Sequence, residues 1–275
     1  MSSELVVRAP GPHLAGVVVG YTGFAESSSG PVGFRELPCT YVPLIIDLGE
    51  GWSVGDPHHP ARPPERLRSF VAGLTDGPVS VEHPGTARCL QVDLTPLGAR
   101  RLLGMPMSEI ANRSVALEDV LGPSAGHLAE RLDATHGWDA RIALVERVVA
   151  ARLARSGHPD PGAAWALGRL SASGGRVAIG DLARELGWSH RRLIARFRAE
   201  VGLPPKTVAR IVRFERLRAL LGAEPGIGLA RAAAGCGFSD QAHLAREVRD
   251  LAGTTPSALR DDDVNYVQDH PPGGS

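Results

Sequence analysis

The chain has 275 residues, of which 43% are hydrophobic and 22% charged; this is ordinary for a protein that buries a core, and the length suits two domains. No apolar run approaches the roughly 20 residues that span a bilayer, and the opening MSSELVVRAPGPH lacks the basic start and long apolar stretch of a secretory signal. Membrane and secreted readings are disfavoured and a cytoplasmic protein is expected. The net charge of zero hides an asymmetry: residues 1–164 carry −4, residues 165–260 hold 15 Arg and one Lys against 8 acids for a net +8, and the last 15 residues carry −4. A basic domain between an acidic one and an acidic tail points to a polyanionic partner for residues 165–260, although many basic surfaces bind nothing specific.

Residues 1–93 read as strands and turns. LAGVVVGYTGF, TYVPLIIDLG, GPVSVEH and ARCLQVDL are short apolar or alternating runs bounded by Gly, Pro or Ser. SSSGPVG and DPHHPARPPE read as loops, since clustered prolines remove backbone donors and fix φ. The aromatic residues Tyr21, Phe24, Phe34, Tyr41, Trp52 and Phe70 serve either as ordinary core or as the lining of a small-molecule pocket. His58 and His59 lack a third ligand at useful spacing, so no metal site is expected there. The three cysteines, Cys39, Cys89 and Cys236, are far apart and form no zinc pattern. They read as small buried hydrophobes.

From Thr95 the hydrophobic period lengthens. TPLGARRLLG, SAGHLAERLDATHG and ARIALVERVVAARLARSG place apolar residues three and four apart, the pattern of packed helices. In the last, Ile142, Val145, Val148 or Val149 and Leu153 form a stripe that packs on its own domain or on a partner subunit. Arg100-Arg101 and Glu118-Asp119 read as solvated surface. HPDPG, residues 158–162, reads as a linker.

The C-terminal third is helical throughout and repeats itself. IGDLARELGWS (179–189) aligns with LARAAAGCGFS (229–239) at an offset of 50, and after the serine the match resumes at 51, pairing Leu193 with Leu244, Phe197 with Val248 and Pro205 with Pro256. One residue is added in the second copy, expected just inside the helix that follows the serine. In each copy an apolar face is followed by a small residue where two helices meet (Ala183, Ala233). A glycine (Gly187, Gly237) then lets the chain turn, and a serine (Ser189, Ser239) is placed to cap the next helix. These are the parts of a helix-turn-helix, a geometry that also occurs in helical domains touching no DNA. Two copies in a segment of charge +8 favour DNA. The second helix of the first copy exposes His190, Arg191, Arg192, Arg196 and Arg198; that of the second offers Ser239, Asp240, Gln241, His243 and Arg246. Arginine suits phosphate and the guanine edge, and Gln241 suits adenine. Asp240 fits a cytosine amine or an arginine better than phosphate. About half of these residues are expected to touch only phosphate, or nothing.

The carriers LARELGWSHRRLIARF, PPKTVARIVRFERLRALL and AAAGCGFSDQAHLAREVRDLAGTTPSALR resemble the DNA-binding domain of AraC/XylS-type transcription regulators, over about a third of the chain. The resemblance implies one monomer reading two successive major grooves through a connector helix that opens at Pro204-Pro205, with Arg213 at the family's connector arginine. A connector of about 17 residues gives roughly 26 Å, against roughly 34 Å for a DNA turn. Val248, Val208 and Ala232 depart from the usual Phe, Tyr and Ile, which touches packing detail. The implied architecture is α+β. A β-rich, cupin-like sensor or dimerisation domain with packed helices covers residues 1–160, and an all-α domain of two helix-turn-helix units covers 161–260. An acidic, disordered tail covers 261–275. The implied function is a bacterial, sequence-specific transcription regulator. Activation is the commoner mode and repression stays open. Double-stranded DNA is the partner, with room for a small-molecule effector, a homodimer and RNA polymerase; no cofactor is implied.

Two other functional classes fit the sequence less well. An alkyl-transfer repair enzyme would need Cys39 or Cys89 activated, and neither sits beside a basic cluster; no GxSxG, HExxH or P-loop pattern occurs. An architectural DNA binder fits two base-reading helices poorly, because such proteins mostly use the minor groove.

Overall fold

The structure, a computed structural model, describes residues 2–261; the expected disordered tail lies outside the described residues from 262 onward. The N-terminal half is built on two antiparallel sheets. The first has the order β1 (Ser2–Arg8), β2 (Val18–Ser27), β9 (Thr86–Leu94), β4 (Val42–Asp47), β7 (Phe70–Ala72) and β10 (Ser114–Ala116). The second has the order β3 (Val32–Glu36), β8 (Val79–His83), β5 (Trp52–Val54) and β6 (Glu65–Leu67).

Because side chains alternate along a strand, the first sheet sorts its residues onto two faces. On β9, Cys89, Gln91 and Asp93 face the second sheet, while Leu90, Val92 and Leu94 face away toward the helices. The inner face contributes Ile45, Phe70 and Cys89 to a small core shared with Trp52, Val54, Leu67 and Val81 of the second sheet. The outer face joins a much larger core that runs without a break into the C-terminal helices.

Helices α1 (Pro96–Leu103), α2 (Leu117–Leu121), α3 (Ser124–Asp133) and α4 (Trp138–Leu153) cover that outer face. Ile142, Val145, Val149 and Leu153 are all buried within this chain, so the stripe packs on its own domain. At the start of α4, Trp138 lies over Gly23 of β2, where a Cβ would come within 2.5 Å of the indole. Only a residue without a side chain lets the helix approach this closely.

The C-terminal third comprises α5 (Pro161–Ala172), α6 (Ile179–Glu185), α7 (His190–Val201), α8 (Pro205–Ala223), α9 (Leu229–Cys236), α10 (Gln241–Ala252) and α11 (Pro256–Asp261). Asp160 caps α5, accepting from the Ala163 amide at 2.9 Å. The three departures from the family pattern, Val208, Ala232 and Val248, are at most 1% exposed and belong to the core.

Three expectations are corrected. Val32 and Gly33, and likewise Glu65, assigned to loops, begin β3 and β6, and Pro161 and Gly162 of the expected linker open α5. The residue added in the second repeat is not inside the helix. α7 begins directly after Ser189 and α10 directly after Asp240, so the extra residue lengthens the turn.

Gly23→Ala is expected to destabilise the fold by about 1–3 kcal/mol through overpacking against Trp138, read by urea unfolding; unchanged stability would mean that α4 is free to shift.

Candidate nucleic-acid interface and sandwich cavity

The two repeats build matching corners from different caps. After α6, Gly187 takes φ +63° and after α9 Gly237 takes φ +83°, the left-handed backbone that glycine permits. In the first unit Ser189 Oγ accepts from the Arg192 amide at 3.2 Å. In the second, Asp240 takes that role, accepting from the His243 amide at 2.6 Å; this corrects the expectation that Ser239 is the cap. The bond to the His243 amide leads the causes holding the Asp240 carboxyl below the usual range. Ser239 Oγ lies 3.2 Å from Asp240 and 3.1 Å from His243 Nδ1. His243 Nε2 lies 3.4 Å from Glu247, and its ring packs edge-on to Phe238.

Leu193 and Phe197, like Leu244 and Val248, turn inward with no more than 0% exposure. Helical spacing then turns the rest of each second helix outward. His190, Arg191, Arg192, Arg196 and Arg198 are all exposed on α7, and Arg192 stacks 4.7 Å over Trp188. On α10, Gln241 and Arg246 are exposed, whereas Ser239, Asp240 and His243 are drawn into the capping network. Sequence reasoning missed Ile194, Ala242 and Arg249, which are exposed on the same faces. Their helical registers were readable, but a polar-residue search passes over Ile194 and Ala242, apolar positions of the kind that can meet a thymine methyl.

The connector α8 holds the two units together. Its 19 residues make a rod of roughly 28 Å, slightly longer than expected. Arg213 donates to the Gly175 carbonyl at 2.6 Å in the turn before α6, and its guanidinium lies 5.9 Å from the Phe238 ring in the second corner. Burial lowers its pKa, and the geometry makes it a structural bridge between units. Arg210 pairs with Glu247 at 2.7 Å and Asp250 at 3.0 Å, tying α10 to the same rod.

The same rod meets the N-terminal half. Glu215 accepts from the Thr40 amide at 2.8 Å and from its hydroxyl at 2.7 Å; burial raises the Glu215 pKa against the pull of those bonds. Arg100 lies 3.5 Å from Glu200 at the end of α7, and Arg35 donates to the Ala252 carbonyl at the end of α10. Arg100 is therefore engaged rather than free surface.

Between the two sheets lies a cavity of about 90 Å³. Phe24, Phe34, Trp52 and Phe70 line it; Tyr21 and Tyr41 do not. Tyr21 sits in the larger core. Leu37 and Cys39, which flank the segment that carries Thr40, also line the cavity. At its polar end Gln91 donates to Asp93 at 2.8 Å, and burial pushes the Asp93 carboxyl up to about 7. His58 and His59 pair with Asp76 and Asp56. Among the described residues no group of three or more His, Cys, Asp or Glu is placed to hold a metal. Burial raises the thiol pKa of Cys39, Cys89 and Cys236 alike, which holds them protonated and works against a thiolate nucleophile.

Residues 182–262 match the family model described as a helix-turn-helix domain, and residues 7–116 match one described as a domain of unknown function (DUF6597). No curated protein matches the chain. Among solved structures, unsaturated fatty acid-bound ToxT from Vibrio cholerae shares 9% identity over 93% of this chain and 94% of that one, with a TM-score of 0.50. The C-terminal domain of AraT, a response regulator from Geobacillus stearothermophilus, shares 17% identity over 42% of this chain and 97% of that one, with a TM-score of 0.37. At these identities the likeness is one of fold: a β-rich half followed by a helical one. The C-terminal unit is a helix-turn-helix domain, as its repeated sequence led one to expect.

Two outcomes follow from these sites. Arg196→Ala is expected to weaken binding to all duplexes and reduce the salt slope by about one, whereas Gln241→Ala relaxes preference at one base position by about 1–3 kcal/mol, measured by competition at several salt concentrations. Because the folded pKa of Asp93 lies above the unfolded value of about 3.9, the folded state holds its proton more tightly and loses stability as pH rises through that window to about 7. Asp93→Asn should therefore be more stable than the native chain at pH 8, on the order of a few kcal/mol, with a gain that shrinks toward pH 5 in chemical unfolding.

Proposed function

We propose that one monomer reads two successive major grooves, α7 in one and α10 in the next, and that a small molecule in the sandwich cavity controls this reading. The observation that carries the first part is the pair of capped units fixed to one connector by Arg213 and Arg210, each with an outward polar face. His190, Arg191, Arg192, Arg196 and Arg198 supply phosphate and base contacts in the first unit, and Gln241 and Arg246 in the second. Ser239, Asp240 and His243 act by shaping the corner, with residual contacts to the backbone of the duplex. Residues 1–160 form the sensing half and 161–260 the reading half, working in the cytoplasm without catalysis of their own; homodimers and contact with RNA polymerase fit this role.

The second part is supported by the path from cavity to connector. Leu37 and Cys39 touch the cavity while Thr40, within the same short segment, grips Glu215 of α8. A ligand that presses on this segment shifts the point at which the sensing half holds the rod. ToxT in one solved structure is bound to an unsaturated fatty acid, so a protein of this fold can carry a small molecule.

The test is selection of bound duplexes from a random pool by the full-length protein at two salt concentrations. Enrichment of two blocks about 10 base pairs apart is expected; salt-sensitive binding without a motif would overturn two-groove reading. With the selected duplex, Thr40→Ala should change the DNA affinity of the ligand-free protein severalfold, and an unchanged affinity would remove this segment as the control path.

A further inference from the structure

Residues 1–164 carry a net charge of −4, yet four of their arginines gather in one depression. It lies between the ends of α1 and α4 and the segment 156–159 that leads to α5. Arg100, Arg101, Arg152, Arg155 and His158 line it, and no Asp or Glu does. Its volume of about 710 Å³ falls inside the roughly 300–1,000 Å³ range of small-molecule sites.

Part of this cluster serves the fold. Helix ends leave carbonyls without partners, and here each helix supplies a guanidinium to the other. Arg101 of α1 donates to the Leu153 carbonyl at the end of α4 at 3.3 Å, and to Ser156 Oγ at 3.3 Å. Arg152 of α4 donates back to the Leu102 carbonyl at the end of α1 at 2.6 Å. Arg100 lies 3.5 Å from Glu200 of α7, and its Nε is shielded from water without a hydrogen bond.

These contacts use only part of the donor set. A guanidinium has five N–H groups; Arg152 commits one to the helix end and Arg101 two. Arg155 and His158 are exposed, and among the described residues neither side chain has a hydrogen bond or ion pair. Helix capping therefore accounts for Arg101 and Arg152. It does not account for Arg155 and His158, nor for four like charges around a space with no carboxylate in its lining.

We propose that this cleft binds a small molecule carrying a chain of phosphoryl groups, with Arg152 and Arg155 forking its oxygens and Arg101 and His158 beside them. A concave site lined by one sign of charge concentrates counter-ions. Arg100, Arg101 and Arg152 are half-buried, so salt screens them less than it screens open surface. The planar guanidinium matches phosphate in a bidentate fashion. Because backbone carbonyls already hold Arg101 and Arg152, a ligand finds them in place and little side-chain freedom is lost on binding. Several linked phosphoryl groups answer a cluster of this charge better than one carboxylate or sulfate. A depression between two helix ends and a loop also admits a small ligand more readily than the convex backbone of a duplex. This site is independent of the sandwich cavity and of what that cavity holds.

The test is calorimetric titration of inorganic tripolyphosphate, and of sulfate, into the full chain at physiological ionic strength. Tripolyphosphate is expected to bind at least tenfold more tightly than sulfate. The double variant Arg155→Ala/His158→Ala removes two side chains that the fold does not use, and should weaken tripolyphosphate at least tenfold. Arg196→Ala, on the outward face of α7, should leave it unchanged. No binding to the native chain, equal binding of sulfate, an unaffected double variant, or loss of binding in Arg196→Ala would each overturn the proposal. The double variant should also bind the selected duplex with an unchanged salt slope. A slope reduced by about two would mean that the cleft grips the DNA backbone, and would overturn the small-molecule site.

Discussion

The connector helix α8 is the constraint on which the rest of this structure depends. Two small helical units have too little surface in either one to fix their mutual geometry. Here the geometry is set by charged groups, most of them partly buried. Arg213 spans from the carbonyl of Gly175 in one unit to the ring of Phe238 in the other, and Arg210 pins α10 through Glu247 and Asp250. Hydrogen bonds to charged groups contribute about 1.5–3 kcal/mol each, and removing one partner leaves the other buried without compensation. The rod is therefore held by directional contacts as well as by its apolar face of Ile211, Phe214 and Leu217.

The same helix is where the β-rich half takes hold. Thr40 closes both its donors onto Glu215, and the continuous apolar core gives the contact a firm backing. Secondary grips fall at the ends of α7 and α10, through Glu200 and the Ala252 carbonyl. A β-rich half that touches the rod and the far ends of α7 and α10 has leverage on their orientation without covering their outward faces. The cavity lies on the other side of that contact segment, so the small core and the connector are separated by little more than the residues from Leu37 to Thr40.

Much of this was legible in the sequence. The helical third announced itself through a 50-residue repeat with glycine and serine at fixed places, because a corner between two helices needs a small contact residue, a left-handed turn and a cap. The exposed arginines of α7 followed from register alone. The second corner was harder: the inserted Asp240 is itself a good cap, and only the backbone shows that it displaces Ser239 and draws His243 inward. Short strands such as β5, β6, β7 and β10, each of three residues, are too brief to show a period of two. The aromatic lining was half legible. Alternation places Phe24, Phe34, Trp52 and Phe70 in one layer, but Tyr21 looks identical in a list of aromatics and faces the opposite core. Long-range partners such as Thr40 and Glu215 leave no local signal at all.

Hydroxyl-radical footprinting of the protein on its selected duplex tests the central role of the connector most directly, when the native chain is compared with Arg213→Leu. The native chain should protect two patches about one helical turn apart on one face of the duplex, and in the variant one patch should fade while the other persists, as the two units lose their common register. A single patch from the native chain, or an unchanged double footprint in the variant, would contradict the claim that α8 and its arginine bridge set the spacing of the two reading helices.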